Sequence, residues 1–563
     1  MFLFSPGVFV GRWRRLATMF FPLCSLLLIV CSCGASSGSL ILSNGKSTLA
    51  ASQHLSLPLI GTTDIASIDP ASNLDQSGKL LAGMLYSGLV RQDEHFQVLP
   101  DQATWQISAD GKTYTFAIKS GVTFADGAPV TAQTYVDSWT RALTTAAASS
   151  SSIPTPPDPS AMPLPYTLAL PIVGAKELYT GKTHTLSGVH AVDAHTLQVT
   201  LKQPTTTFLQ SLAQPFFFPV NPNLTAAYTQ RPWPVTLARQ GIGTGPFIVK
   251  EWNPDISLVL TPNPQYYGPK LTLTQLTLYF MNDPRVAFTA NRAGRFDLTY
   301  DMVTTDQLSA AKLHNYFSAT LLQTDALFFD TTQPPFNSLS LRQAFAAALN
   351  KQQLAHVTLM DTVDPAETLF PPTMFGYQAH PVSFNANRAS QLLAAATKDK
   401  PLPSITFTYP ESELSVPTVT ALQAQWQQSL GIHVNLLPLE DDAYAHALRS
   451  HTIQFGIYSW SSQLNDPAEF ASYLLSTSPQ NAGQWQNSEY DHLVAQARMA
   501  SGTERLHLYD QAEQIALSDA AIVPLFHEVG SSLVGTWIQG ITYNAAGLYV
   551  GDWSQVKILN HKA

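Results

Sequence analysis

LVRQDEHFQVLPDQATWQISADGKTYTFAIKSGVTFADGAPVTAQTYVDSWTRAL, from Leu89 to Leu143, reads as a hairpin followed by an amphipathic helix. Tyr114, Phe116 and Ile118 alternate with the polar Thr113, Thr115 and Lys119, the period-2 pattern of a strand with one buried face. Before it, Asp110-Gly111 supplies a residue that accepts the positive φ of a two-residue hairpin turn, and Asp126-Gly127 marks a second turn. Thr131 then stands where it can cap a helix. The apolar face of that helix runs through Tyr135, Val136, Trp139 and Leu143, spaced for one side of a 3.6-residue period.

The rest of the chain fits a large globular body. Its 563 residues are too many for one ordinary core, so two or three domains are expected. Hydrophobic residues reach 45%, which is enough to fill them. Charged residues are only 12%, so Ser, Thr, Gln and Asn must cover much of the surface. A net charge of −9 with no basic run after the N-terminus argues against nucleic acid as a partner, because phosphate binding needs clustered Lys and Arg.

The N-terminus is a targeting segment. Arg12, Arg14 and Arg15 precede an apolar run from about Leu16 to Val30, shorter than the roughly 20 residues of a bilayer span. Val30-Cys31-Ser32-Cys33-Gly34 has the form of a bacterial lipoprotein cleavage box, with small Ser32 just before the acceptor Cys33. Cys31 follows bulky Val30 and is the poorer acceptor. The expectation is a signal peptide over 1–32, lipidation at Cys33 and a lipidated, flexible Ser/Gly-rich tether over 33–54. A plain transmembrane anchor is the competing reading. Cys24, Cys31 and Cys33 are the only cysteines, so the mature body has no disulfide or thiol chemistry.

Four stretches, in order, carry a resemblance. DGKTYTF with GVTFADGAPVTA and SWTRAL is the first, and GTGPFIVKEWNPDISLVLTPNPQYYG (243–268) is the second. DALFFDTTQPPFNSLSLRQAFAAALNKQQL (325–354) is the third, and AIVPLFHE (521–528) after a long helix is the fourth. Together they resemble the extracytoplasmic solute-binding proteins of peptide-type ABC importers, a family of oligopeptide, dipeptide and nickel binders. The likeness spans about residues 58 to 555. It implies an α/β fold, a two-lobed periplasmic-binding-protein-like architecture with a hinge of two crossing strands and an extra inserted domain. Mapped by motif, lobe I takes 55–88, 204–275 and 524–563, the inserted domain of lobe I 89–203, and lobe II 276–523. Ile68-Asp69-Pro70 fits the family's opening turn, and Leu80 to Val90 reads as a helix capped at Gly88. Asn350-Lys351 stands where the family has an acidic–basic pair, so no local ion pair is expected there.

Catalytic patterns are nearly absent from the sequence. HExxH and the P-loop pattern are absent, and Gly34-Ala35-Ser36-Ser37-Gly38, a nucleophile-elbow pattern, lies in the tether with no strand before it. His184, His190, His195, His446 and His451 are scattered without ligand spacing, so no metal and no cofactor are expected, and the protein is not expected to be an enzyme.

The stretch YSWSSQLNDPAEF (458–470) bears most on function. In peptide-binding members the corresponding text is close to W-x-A-D-Y-x-D-P, whose first Asp holds the ligand's α-amino group by a charge-assisted bond. Here Trp460 matches, Ser461 follows it, but Gln463 replaces that Asp and Leu464 the Tyr. Gln accepts a hydrogen bond without supplying charge, so selection for a free amine is expected to weaken; a plain loop residue is the other reading. Asp466-Pro467-Ala468-Glu469 reads as an N-cap, first helical residue and capping box. By resemblance, Ser87, Gly88 and Leu89 match a loop whose main chain pairs with peptide, and Tyr166 a cleft tyrosine. A helix cap and simple packing are their alternatives. The expected partners are a peptide or peptide-like ligand, ABC permease subunits and the membrane through the lipid, with the protein a monomer. An oligosaccharide, opine or metal chelate, or a sensory role, remains open as the alternative.

Overall fold

The three leucines of β1 (His54–Ile60), Leu55, Leu57 and Leu59, are fully buried and alternate along the strand. The structure is a computed structural model that describes residues 48–561, apart from 66, 73–75, 150–163, 226–232, 234, 300–306, 312–315, 381–383, 398–400 and 412–415. The targeting segment and Cys33 lie outside the described residues. Among those described, no helix is long and apolar enough to cross a membrane.

After β1, α1 (Gln76–Leu85) packs Leu81, Met84 and Leu85 on the same core. The chain then builds β2 (Ala103–Ile107), β3 (Thr113–Ile118), α2 (Ala132–Ser149), β4 (Val189–Ala191) and β5 (Thr196–Thr200). These strands form an antiparallel sheet in the order β2–β3–β5–β4. Its inner face, Phe116, Leu197 and Val199, meets Tyr135 and Trp139 of α2 in a second core, as the alternation and helical spacing predict. Trp139 Nε1 donates to Phe217 O at 2.8 Å. The connection after β2 is longer than a two-residue turn. Ser108 and Thr113 close it, and the Asp110 carboxylate accepts from Ser108 Oγ at 2.5 Å and from Lys112 N at 3.1 Å. Gly111 does take the left-handed φ of 70°. Thr131 exchanges side-chain and backbone bonds with Thr134 at the start of α2.

Asp69 of the opening turn is completely buried and holds Arg141 of α2 through two bonds of 2.9 and 3.0 Å, which fastens the second core to the first. β6 (Phe247–Asn253), β7 (Ser257–Pro262) and β8 (Gln275–Met281) return to β1 in the order β1–β8–β7–β6, with β1 and β8 parallel. Leu276, Leu278 and Phe280 of β8 belong to this first core.

β9 (Tyr316–Phe329), β10 (Val363–Pro365), β11 (Ile405–Pro410), β12 (Val434–Leu439), β13 (Phe455–Ser461) and β14 (Ile522–Leu533) make a six-stranded mixed sheet in the order β10–β14–β9–β13–β11–β12. α3 (Leu339–Ala347) and α4 (Val416–Leu430) cover one face, where Phe329, Phe345, Phe407, Trp426 and Phe455 interlock. α5 (Pro467–Tyr473), α6 (Ser488–Met499) and α7 (Gly502–Ser518) enclose another core with Trp460, Phe470, Tyr490 and Tyr509. Asn350 caps a helical turn by accepting from Gln353 N, and buried Lys351 donates to Ala366 O at 2.9 Å, so a carbonyl serves where an ion pair was not expected.

β9 and β14 are the longest strands and pair antiparallel. At one end Phe317, Ala319 and Leu321 of β9 pack on the first core, where Val534, just past β14, is buried. At the other, Leu327, Phe329, Val523 and Leu525 belong to the third. Their register shifts between Thr320 and Thr324, so the ladder is interrupted between the cores.

α1 ends at Leu85, before Gly88, and Gly88 does not adopt the left-handed conformation expected of a cap. It is small for another reason: a Cβ there would stand 2.8 Å from the Phe218 ring.

Candidate functional site

Two walls face each other between the second core and the α5–α7 core. On the first wall, the main chain at Ser87, Gly88 and Leu89 is fixed from beneath by Gln102, which is fully buried. Gln102 Nε2 donates to Ser87 O at 3.1 Å and to Thr244 Oγ1 at 2.9 Å, while its Oε1 accepts from Tyr135 OH at 2.6 Å. Gln102 N reaches Gly88 O, and Leu89 O takes the N–H groups of Asp101 and Ala103. All three carbonyls are thus engaged within the protein. Leu89 is buried in the second core. Tyr166 is also in that core, edge-on to Phe216, with its hydroxyl donating to Ala71 O at 2.7 Å. Its packing is what the structure displays.

The second wall is the turn after β13. Trp460 is buried beside Tyr458, yet its Nε1 has no hydrogen-bond partner among the described residues. Ser461 ends β13 and gives its carbonyl to Tyr473 OH at 2.7 Å. Gln463 is half-buried. Its N–H donates to Glu469 Oε2 at 2.9 Å, and its carbonyl accepts from Gln214 Nε2 of the opposite wall at 3.3 Å.

Asp466 caps α5 through Ala468 N, with Pro467 at the first helical position, as the sequence predicts. The capping box does not form. Glu469 turns instead to Ser462 Oγ and Gln463 N, because those groups, and not the Asp466 N–H, need a buried acceptor. Its other oxygen, Oε1, has no partner among the described residues. Burial pushes the Glu469 carboxyl up, opposed by the Ser462 hydroxyl and the Gln463 and Leu464 N–H groups. Asp466 also binds Arg505 of α7 at 2.6 and 2.8 Å, both side chains almost wholly buried.

Beside these walls, between the segments 167–171 and 202–207 on one side and 464–509 on the other, lies a cavity of about 540 Å³, lined among others by Thr167, Leu168, Lys202, Leu464, Glu469 and Arg505. None of the seven expected ligand residues lines it, although Thr167 and Leu464 directly follow Tyr166 and Gln463 in the chain. Glu469, Gln214 and Gln102 also shape the walls without being among the ligand residues expected from the sequence. Glu469 was visible only as a helix signal, and the two glutamines carry no local pattern at all. His184, His190, His195, His446 and His451 are all exposed.

Lobes joined by two long paired strands, with a cavity beside walls that carry buried polar atoms, define a binding protein for a small solute. The chain belongs to the family described as bacterial extracellular solute-binding proteins, family 5, whose middle region matches residues 98–482. It is the solute-binding component of an ABC importer, acts outside the cytoplasm, and is not an enzyme. It is similar to the probable deoxycholate-binding periplasmic protein YgiS of Escherichia coli, 30% identical over 505 residues, 87% of this chain and 91% of that one. It is also similar to the periplasmic oligopeptide-binding protein OppA of Salmonella typhimurium, 27% identical over 85% of this chain and 88% of that one. Among solved structures, the Escherichia coli murein tripeptide-binding protein MppA matches with a TM-score of 0.73 and 27% identity, covering 91% of this chain and 100% of that one.

Proposed function

We propose that the protein captures peptides between its two walls by hinge closure and delivers them to a permease, while a lipid on Cys33 holds it at the outer face of the cytoplasmic membrane. The supporting observation is the cavity of about 540 Å³ between segments of separate cores, to whose lining Glu469 brings a buried acceptor, Oε1, with no partner among the described residues. An extended peptide offers N–H and C=O groups along its length for such atoms and for the neighbouring main chain. In this reading lobe I and its inserted domain (89–203) move against lobe II about β9 and β14. The border between the lobes then falls after β8 rather than at 275/276, since β8 lies in the first sheet. Ligand contacts made only in the closed form shift the population toward it. Gln463 belongs to the proposal as a site without charge, where a free amine is no longer selected.

A second reading has its own support. Lys202 and Arg498 line the cavity together with Glu469, Arg505 is paired there with Asp466, and the relative YgiS is named for deoxycholate. An amphipathic solute whose anionic group meets Lys202 or Arg498 fits that set.

Mass spectrometry of the full chain, extracted from membranes in detergent and kept native, addresses both parts. A polypeptide that starts at Cys33 and carries lipid, with a ladder of bound masses spaced as amino-acid residues, is the expected outcome. A single bound non-peptide mass would move the substrate to the second reading. A chain recovered unlipidated from the soluble fraction would remove the anchor.

A further inference from the structure

Away from the cleft, three titratable side chains converge that take no part in the site described above. Asp510 and Glu513 sit one turn apart on α7, and His380 reaches them from the segment that follows β10. One ligand atom from each lies within 4.8 Å of the others. His380 Nε2 is 2.5 Å from Asp510 Oδ1, and Asp510 Oδ2 accepts from Gln514 Nε2 at 3.0 Å. Glu513 Oε1 takes two backbone N–H groups, from Leu369 at 2.7 Å and Phe370 at 2.8 Å. Its other oxygen, Oε2, is buried with no hydrogen-bond partner among the described residues, in a residue only 3% exposed. Buried polar atoms are nearly always partnered, and an unpartnered carboxylate oxygen is costly, so this one points to a missing cation.

We propose that His380, Asp510 and Glu513 bind a divalent transition-metal ion of the Zn²⁺ type. One imidazole nitrogen and two carboxylate oxygens suit such an ion, with water in a fourth position. The imidazole argues against Ca²⁺ and Mg²⁺, which take oxygen ligands. Gln514 and the two backbone N–H groups already orient the carboxylates from behind, the arrangement that outer partners give to metal ligands. Tetrahedral bonds of about 2.0–2.2 Å place donors roughly 3.4 Å apart, so the ion takes the place of the His380–Asp510 hydrogen bond while Glu513 draws inward. The His380 and Asp510 side chains are 22% and 13% exposed, so the ion enters from solvent.

The site has a consequence for the cleft. The segment it ties down also carries Phe375, whose N–H donates to Asn465 Oδ1 at 2.7 Å, and Thr373, whose carbonyl accepts from Asn465 Nδ2 at 3.3 Å. Asn465 belongs to the turn that forms the second wall. An ion at His380 therefore braces that wall from the side remote from the solute.

The test uses the full chain, stripped with chelator and titrated with ZnCl₂ alone, followed by calorimetry and thermal melting. One ion bound per chain and a rise in Tm of about 2–4 °C near saturation are expected. Glu513→Gln keeps the acceptor for Leu369 and Phe370, and His380→Ala alters a partly exposed side chain, so both variants should fold. Each should lose about tenfold or more in Zn²⁺ affinity. Absence of binding up to about 1 mM, or equal binding by both variants and the unaltered chain, overturns the proposal.

Discussion

Arg505→Met is expected to cost about 3–5 kcal/mol of folding stability, the range for removing one partner of a buried ion pair. Arg505 and Asp466 are each 5% exposed, and two bonds of 2.6 and 2.8 Å join them. Without the guanidinium, Asp466 keeps only the Ala468 N–H as a partner for a charge that water barely reaches. Adding Asp466→Asn to this variant should restore part of the loss, since Asn still caps α5 and carries no charge. The pair also pins the turn at 462–469 to α7, so ligand affinity should fall with stability. Comparison of thermal melting of the two variants with the unaltered chain checks this. A loss under about 1 kcal/mol would mean that the pair behaves as a surface bridge.

The second large effect is a pH dependence centred on His527. Burial, reinforced by the nearby positive charge of Lys351, pushes this imidazole down to about 3. Thr324 Oγ1 donates to Leu369 O at 2.8 Å, so its oxygen accepts from His527 Nδ1–H, also at 2.8 Å; burial and Lys351, rather than this bond, favour the neutral ring. The unfolded chain binds this proton near the ordinary histidine value of about 6.5, while the folded chain does not. Above that value the group leaves stability untouched. As pH falls from about 6.5 toward about 3, the unfolded state alone is protonated, and the native state loses about 1.4 kcal/mol per pH unit.

His527→Gln removes the titration. It should be less stable than the unaltered chain by about 1–2 kcal/mol at about pH 8, through the lost hydrogen bond. The order should reverse near pH 5, where the unaltered chain has lost about 2 kcal/mol from this group. Other buried acids titrate alike in both proteins and cancel in the difference. Parallel stability curves across this range would show that His527 is protonated in the fold. Because His527 pairs with Thr324 where the β9–β14 register shifts, acid should weaken the strands that join the lobes first.

Much of this fold is legible in the sequence because the relevant signals are local. Tyr114, Phe116 and Ile118 announce a strand, and Tyr135, Trp139 and Leu143 a helix, through nothing more than spacing; all six are buried. Leu341 and Phe345 do the same for α3, and both are buried. Misreadings arise where a residue answers to something distant in sequence. Gly88 looks like a helix cap but makes room for Phe218, far along the chain. Glu469 looks like a capping box but supports the turn that precedes its helix. Tyr166 also answers to a distant group, its hydroxyl donating to Ala71 O 95 positions away. Trp460 was legible as a landmark, but only the packed structure reveals that its indole N–H lacks a partner. The cavity itself has no sequence signature, since Thr167, Lys202, Leu464 and Arg505 come together only when the two cores are in place.

The central claim is that the cleft takes peptides without selecting a free amine at Gln463. Calorimetric titration of the ligand-stripped protein with a pool of random pentapeptides, free and N-acetylated, tests it most directly. Both pools should bind, and acetylation should change affinity by less than about tenfold, or 1.4 kcal/mol. Failure of both pools to bind, or a loss greater than that on acetylation, would contradict it.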